Sequence, residues 1–375
     1  MAALRTSLVS SVCLVGVCCT AVADGSQGIT LPQKFPLYNP AATSCTAPPG
    51  LKPTLIFEQD NARDFMRGVS GGLERAARDR GLRYEVDLAN NDSARMVEAL
   101  KARALDKVGA VVAAPVNPDQ LKPVLQKFIW AGGFVGTVVP PPAVTLLNAP
   151  QYATGKILAE AAARYITKEL GGKANVVLLT HDSLQFLAPR FTAMRDVLAD
   201  LPGVTIVADI TPITIDRNGG GETMNTILLT NSQVDVVLGA DTVVLGALDS
   251  LRAQGKARSN QFLGGIDGEP DAVAEITKPD SPYKASISLA SPIFGYALGQ
   301  QAADWLQGKS VPQAMDILPI ALTKETIAEY NTDIANPGAV YADVQKRSHY
   351  LKMYGNICYD TRDNYVDFPW SSESQ

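Results

Sequence analysis

From residue 54 onward the chain alternates two hydrophobic rhythms. Thr54-Leu55-Ile56-Phe57 is a short apolar run, the mark of a buried strand. Residues 62–80 then follow helical spacing, with Phe65, Val69, Leu73 and Ala76 on one face and Gly81 as terminator. Tyr84, Val86 and Leu88 alternate as a strand does, and residues 94–106 return to a helix through Val97, Leu100 and Ala104. Residues 109–114 read as a buried strand. Asn117-Pro118 opens a helix that runs to Trp130, with Asn as cap and Pro in the first turn. A strand over 134–139 completes the first series.

Prolines at 140–142 and Asn148-Ala149-Pro150 interrupt the rhythm, which then restarts. The pattern predicts helices over 152–170, 187–200, 222–230, 242–254, 270–276 and 293–306. Strands are predicted over 175–180, 204–209, 234–239, 262–264 and 285–289. Strands alternating with helices mean βαβ units and parallel sheets. The expected fold class is α/β, with two doubly wound parallel-sheet lobes joined by a crossover hinge. The expected organisation is an irregular extension (24–53), a first lobe (54–150 plus 291–320), a second lobe (151–290) and an irregular C-terminal wrap (331–375).

The N-terminus changes the picture. Arg5 precedes an apolar run from Leu8 to Cys19, and Ala21-Val22-Ala23 supplies small residues before Asp24. This reads as a secretory signal peptide, residues 1–23, cut after Ala23. The run is too short to span a bilayer, which takes about 20 apolar residues. The mature protein is therefore expected to be soluble in the periplasm. Cys13, Cys18 and Cys19 leave with the signal, so Cys45 and Cys358 remain. An oxidising compartment favours a disulfide between them. Net charge is −5, with no basic run, which argues against nucleic acid and anionic membranes as partners. His is scarce and no C-x-x-C occurs, so neither a metal nor a cofactor is expected.

Several segments together carry a likeness. Ile56-Phe57-Glu58-Gln59-Asp60-Asn61 precedes a helix that opens with Phe65-Met66 and ends Ala77-Arg78-Asp79-Arg80-Gly81. Asn90-Asn91-Asp92 follows the second strand, and Ala114-Pro115-Val116-Asn117-Pro118-Asp119 the third. Leu238 to Ala247 and Gly264-Gly265-Ile266-Asp267-Gly268 lie farther on. In order and spacing these resemble periplasmic sugar-binding proteins of the ribose/galactose type, over roughly residues 54–310. The resemblance implies two lobes joined by three crossovers, a ligand between them, and delivery to a membrane ABC permease by a monomer without catalytic activity.

Ligands of parallel α/β sheets sit beyond the carboxyl ends of the strands. In the first lobe those ends offer Gln59, Asp60, Asn61, Arg63 and Phe65. Planar polar groups suit hydroxyls, and an aromatic face suits the C–H side of a sugar. Phe65 also fits a core position, and Asn117 is better read as a helix cap. In the second lobe the candidates are Asp241, which competes with an N-cap role, and Asp267, which competes with a turn role. Arg190 falls where the family often has a ligand-binding arginine, against the alternative of a solvated helix residue. Asn148 and His181 complete the polar set, with His181 equally readable as a loop residue.

Two departures follow from the same comparison. Where the family usually carries an Asp-Arg pair, this chain reads Val139-Pro140-Pro141-Pro142, and Leu289 replaces a crossover glutamine. The ligand is thus expected to offer fewer hydroxyls than a pyranose, or an apolar face. Other chemistry is poorly supported. His181-Asp182-Ser183 are adjacent and form no triad. Asn218-Gly219-Gly220-Gly221 lacks the following Lys-Ser/Thr of a P-loop and reads as a flexible loop. The competing function is a ligand-sensing receptor subunit for a sensor kinase or chemoreceptor.

Overall fold

The computed structural model describes residues 28–42, 45–114, 116–138 and 141–374. The expected signal peptide and Val139 lie outside the described residues. The chain runs β1 (Lys52–Gln59), α1 (Asp64–Arg80), β2 (Arg83–Leu88), α2 (Ser93–Leu105), β3 (Val108–Ala113), α3 (Pro118–Trp130), β4 (Phe134–Val138) and β5 (Thr145–Asn148). It continues through α4 (Gln151–Glu169), β6 (Ala174–Leu179), α5 (Ala188–Ala199), β7 (Val204–Ile210), α6 (Arg217–Thr230), β8 (Val236–Leu238), α7 (Asp241–Ala253), β9 (Phe262–Asp267), α8 (Pro270–Thr277) and β10 (Tyr283–Ser288). It closes with α9 (Ser291–Leu306), β11 (Ala314–Ile317), β12 (Ile320–Leu322), α10 (Ile327–Ala335), α11 (Pro337–Ala342), α12 (Val344–Tyr350) and β13 (Leu351–Tyr354).

These elements build two sheets. One has strand order β13-β11-β5-β4-β3-β1-β2, the other β12-β10-β9-β8-β6-β7. All named pairings are parallel except β11 with β13 and β10 with β12. The strands expected to be buried on both faces are so: every residue of β3 is buried, as are Leu55, Ile56 and Phe57 of β1. Two doubly wound α/β lobes result, as the pattern predicted.

The chain passes between the lobes after β5, after β10 and between β11 and β12. Helix α9 thus returns to the first lobe, where it crosses α1 closely. A side chain at Gly72 would strike the Pro292 carbonyl oxygen, and one at Gly295 the Val69 carbonyl oxygen. Backbones can approach that near only through glycine.

Residues 331–375 differ from the expected irregular wrap. Helices α10, α11 and α12 follow one another, and the side chains of Asn336 and Asp343 cap α11 and α12. Strand β13 then extends the first sheet beside β11. This makes a fourth passage: α10 touches the second lobe, where Tyr330 Oη lies 2.7 Å from Ser288 Oγ, and β13 ends in the first. The aromatic residues of the tail are packing groups. Trp370 packs in tilted contact with Phe35 and Tyr354, so tail and N-terminal extension form one apolar cluster with Val366 and Phe368. A second difference lies at the glycine run. Gly219 and Gly220 are helical, inside α6, and Gly220 lies against the Val243 carbonyl oxygen of α7. Asp216 caps that helix through the Gly219 amide at 2.8 Å. Gly220 and Gly221 face α7, while Gly219 lies against Thr214 in the preceding turn.

Cys45 and Cys358 form a disulfide across a sequence separation of 313, with Cα atoms 5.6 Å apart. It fastens the extension to the tail on the first lobe. Closing so long a loop restricts the unfolded chain strongly, and loss of such a bridge costs about 2–5 kcal/mol. The Cys45→Ser/Cys358→Ser double variant should lose that much in equilibrium denaturant unfolding. An unchanged midpoint would show that the bridge does not hold the tail.

Candidate functional site

The carboxyl end of β1 delivers a tight polar turn. Asp60 Oδ1 accepts from the Asn61 amide at 2.7 Å, and Asn61 Oδ1 accepts from the Arg63 amide at 3.2 Å. The buried Gln59 side chain donates to the Asn61 carbonyl. Much of the polarity of Gln59, Asp60 and Asn61 is therefore spent on shaping the turn. What the turn projects outward is Arg63 and Phe65. The Arg63 side chain is half-exposed, 3.7 Å from Asp60, and its guanidinium lies 5.8 Å from the Phe65 ring centroid. Phe65 is partly buried and packs against Phe294 with centroids 5.8 Å apart, so it serves core and surface together.

Facing this turn is a charged group from the second lobe. Arg190 is buried in α5 because Gly155 of α4 lets the two helices touch at the Arg190 backbone. Its Nε donates to Gln151 Oε1 at 2.7 Å, while its Nη nitrogens donate to no described residue. Asp267 ends β9 with φ at 120°, a conformation L-residues avoid. Its carboxylate accepts no hydrogen bond among the described residues, nor does that of Glu269. Burial raises the Asp267 carboxyl above its ordinary range, and Arg190 and Arg63 oppose the rise. Glu269 is pushed up to about 8, first by burial and then by Asp267, Asp241 and Asp64, with Arg63 in opposition. Asp64 and Arg63 belong to the first lobe, so Glu269 feels charges from across the cleft. His181, just past β6, is held below its ordinary value by burial and then by Arg190. The structure thus brings Arg63, Arg190, Asp267, Glu269 and His181 together between the lobes. Strain and unpaired charge concentrate there, as they do at functional sites.

Three candidates go elsewhere. Asp241 is fully buried at the start of α7. It accepts from Tyr283 Oη at 2.6 Å, Ser286 Oγ at 2.7 Å and the Glu269 amide at 2.8 Å. With its oxygens taken it is a brace beneath the site rather than a ligand contact. Gly265 makes room for it, since a Cβ there would strike Asp241 Oδ1 and Tyr283 Oη. Burial still lifts Asp241 to about 6, against the hydrogen bonds from Tyr283 and Ser286. Asn148 is likewise engaged: its Nδ2 donates to Asp316 Oδ1 at 2.7 Å, tying β5 to β11 beside two crossings. Leu289 is buried at the β10 crossing and joins the apolar core. Asn117 caps α3 as expected, through the Gln120 amide. Glu269 is the residue the sequence reading missed, although it directly follows the Asp267-Gly268 turn and precedes a helix-opening proline.

Two lobes, four passages behind the cleft and an unpaired polar array within it define a two-lobed binding protein. The family described as a periplasmic binding protein domain matches residues 55–310, and the chain belongs to it. Curated relatives include a putative rhizopine-binding protein of Rhizobium meliloti, 26% identical over 265 residues that make up 67% of this chain and 82% of that protein. The ribose import binding protein of Bacillus subtilis is 23% identical over 264 residues, covering 67% and 80%. A solved 5-methylthioribose transporter solute-binding protein of Thermotoga lettingae superposes with a TM-score of 0.66 at 20% identity, covering 79% of this chain and 95% of that one. Among the described residues no helix is long and apolar enough to cross a membrane.

The bracing role of Asp241 can be measured. Asp241→Ala leaves two buried hydroxyls and an amide without their acceptor, at about 1–3 kcal/mol for each group left unsatisfied. The expected loss in denaturant unfolding is at least about 2 kcal/mol. A loss below about 0.5 kcal/mol, the size of an ordinary surface substitution, would contradict the assignment.

Proposed function

We propose that the protein is exported by its signal peptide and captures a sugar, polyol or related small solute in the cleft. It then presents the closed, loaded form to an ABC importer. The carrying observation is the pair of charged groups at the cleft, the buried Arg190, whose Nη nitrogens have no hydrogen-bond partner among the described residues, and the half-buried Asp267, whose carboxylate has none there either. A guanidinium and a carboxylate so placed can donate to and accept from neighbouring hydroxyls of one ligand, and charge-assisted bonds of this kind are strong. Phe65 supplies an aromatic face beside Arg63. Family membership and the sugar and rhizopine relatives support this reading.

Closure follows from linkage. A ligand that touches Arg63 and Phe65 on one lobe and Arg190 and Asp267 on the other favours the state in which both sets are near. Rotation occurs about the crossings, as in hinge closure. The chain acts as a monomer, and binding rather than turnover is its role. The partly buried Phe65 ring gives the cleft an apolar wall, which suits a ligand with a deoxygenated or alkylated edge. Such a ligand is consistent with a likeness to a protein that binds 5-methylthioribose.

The test is a thermal-shift screen of protein unfolded and refolded to remove carried-over solute. D-ribose, L-arabinose, myo-inositol and 5-methylthioribose form the panel. A ligand at 100 times its Kd adds about 2.7 kcal/mol of stability. At least one compound should raise Tm, and Arg190→Met should weaken its binding about 10- to 100-fold, the value of a charged hydrogen bond. No rise with any sugar or polyol would overturn the reading.

A further inference from the structure

Glu58 stands one residue before the ligand turn and takes no part in the site described above. Residues alternate along a strand, so Glu58 faces the side of the sheet opposite to Gln59. That side is covered by α2, and Glu58 lies at the wall of a cavity of about 280 Å³ with Asp87, Met96 and Arg95. Its exposure is 0%, and neither carboxylate oxygen meets an N–H or O–H group among the described residues. Such a group demands an explanation, because an unpartnered buried carboxylate is costly.

The register supplies one. In the parallel ladder of β1 and β2, Glu58 stands beside Asp87. Asp87 is held by Arg103 through two hydrogen bonds of 2.7 and 2.8 Å, and Arg103 also reaches Glu85 at 2.7 Å. The guanidinium is thereby spent on the two acids of β2. On the other side of β1, strand β3 presents Val-Gly-Ala-Val-Val-Ala and no charge. Arg95 is the remaining cation near the pair, at the cavity wall. Two carboxyl groups side by side in such a layer cannot both ionise, and a proton between them turns repulsion into a hydrogen bond. Burial first, and then Asp87, push the Glu58 carboxyl up to about 9, while Arg103 holds Asp87 low.

The ligand turn hangs from the same strands. The Ala89 amide donates to the Gln59 carbonyl at 2.9 Å and the Asn91 amide to the Asp60 carbonyl at 2.8 Å. Asn61 Nδ2 lies 3.2 Å from Asn91 Oδ1. Strand β2 is an edge strand, paired on one side only. We propose that Glu58 is a positioning residue: the proton it shares with Asp87 clamps β2 to β1 and so fixes the ligand turn 59–61 against residues 89–91. The proposal rests on the reading of 59–61 as part of the ligand site. Ionisation of Glu58 in alkali sets two carboxylates against each other and loosens β2, α2 and that turn.

The test needs no ligand, so its outcome is separate from that of the solute screen. Infrared spectra of the wild-type protein at pH 7 should show a protonated-carboxyl C=O band that Glu58→Gln lacks. Hydrogen exchange, corrected for intrinsic pH dependence, should show the Ala89 and Asn91 amides losing protection at least tenfold between pH 7 and 10. Glu58→Gln, whose amide donates to Asp87 at every pH, should keep it. Absence of the band at pH 7 in the wild type overturns the proposal without use of a variant. So does equal loss of protection in wild type and Glu58→Gln.

Discussion

Everything in this molecule depends on the seam behind the cleft. The chain crosses it after β5, after β10, between β11 and β12, and again through α10. Neither sheet is a contiguous segment, so neither lobe is complete without the other's stretch of chain. Polar and small residues gather there. Asn148 bonds Asp316 and Ser288 bonds Tyr330, and within the first lobe Gly72 and Gly295 let α9 rest on α1. A seam held this way allows rotation and resists separation. The disulfide binds tail to extension on the first lobe.

The cleft inverts the rules of the core. Outside the cleft Glu275, for one, is paired with Arg252 and Lys278, which draw its carboxyl down to about 2. In the cleft Arg190, Asp267 and Glu269 keep polar atoms without hydrogen-bond partners among the described residues, and Asp267 holds a backbone conformation that favours glycine. Such an array is costly when empty and is completed by a solute that offers both donors and acceptors. The cost is sustained from below by Asp241, whose three hydrogen bonds knit α7, β10 and the Glu269 backbone into a rigid floor. Binding energy spent on joining the lobes is then not lost on ordering the site itself.

How much of this was legible in the sequence depended on whether a signal was local. Strands β1 to β4 and the helices between them follow from periodicity, since burial on one face repeats along the chain. The cysteine pair followed from compartment. Strands β11, β12 and β13 run only three or four residues, too short for a period to register. The glycines of α6 look like a loop locally, and their reason shows only in the fold, where Asp216 caps the Gly219 amide and Gly220 and Gly221 lie against α7. Asp241 and Asn148 have the right chemistry for a sugar and the right place at strand ends. Which way their oxygens and amides turn was set by Tyr283, Ser286 and Asp316, distant in sequence. Glu269 was passed over for the converse reason: nothing local distinguishes a glutamate in a cleft from one on a surface.

The central claim is that a solute closes the two lobes by touching both. Small-angle scattering of solute-free protein, with and without saturating D-ribose or myo-inositol, tests it most directly. The account predicts a smaller radius of gyration with whichever of these binds, and no contraction in Arg190→Met under the same conditions. Scattering that stays the same while the solute binds would contradict it.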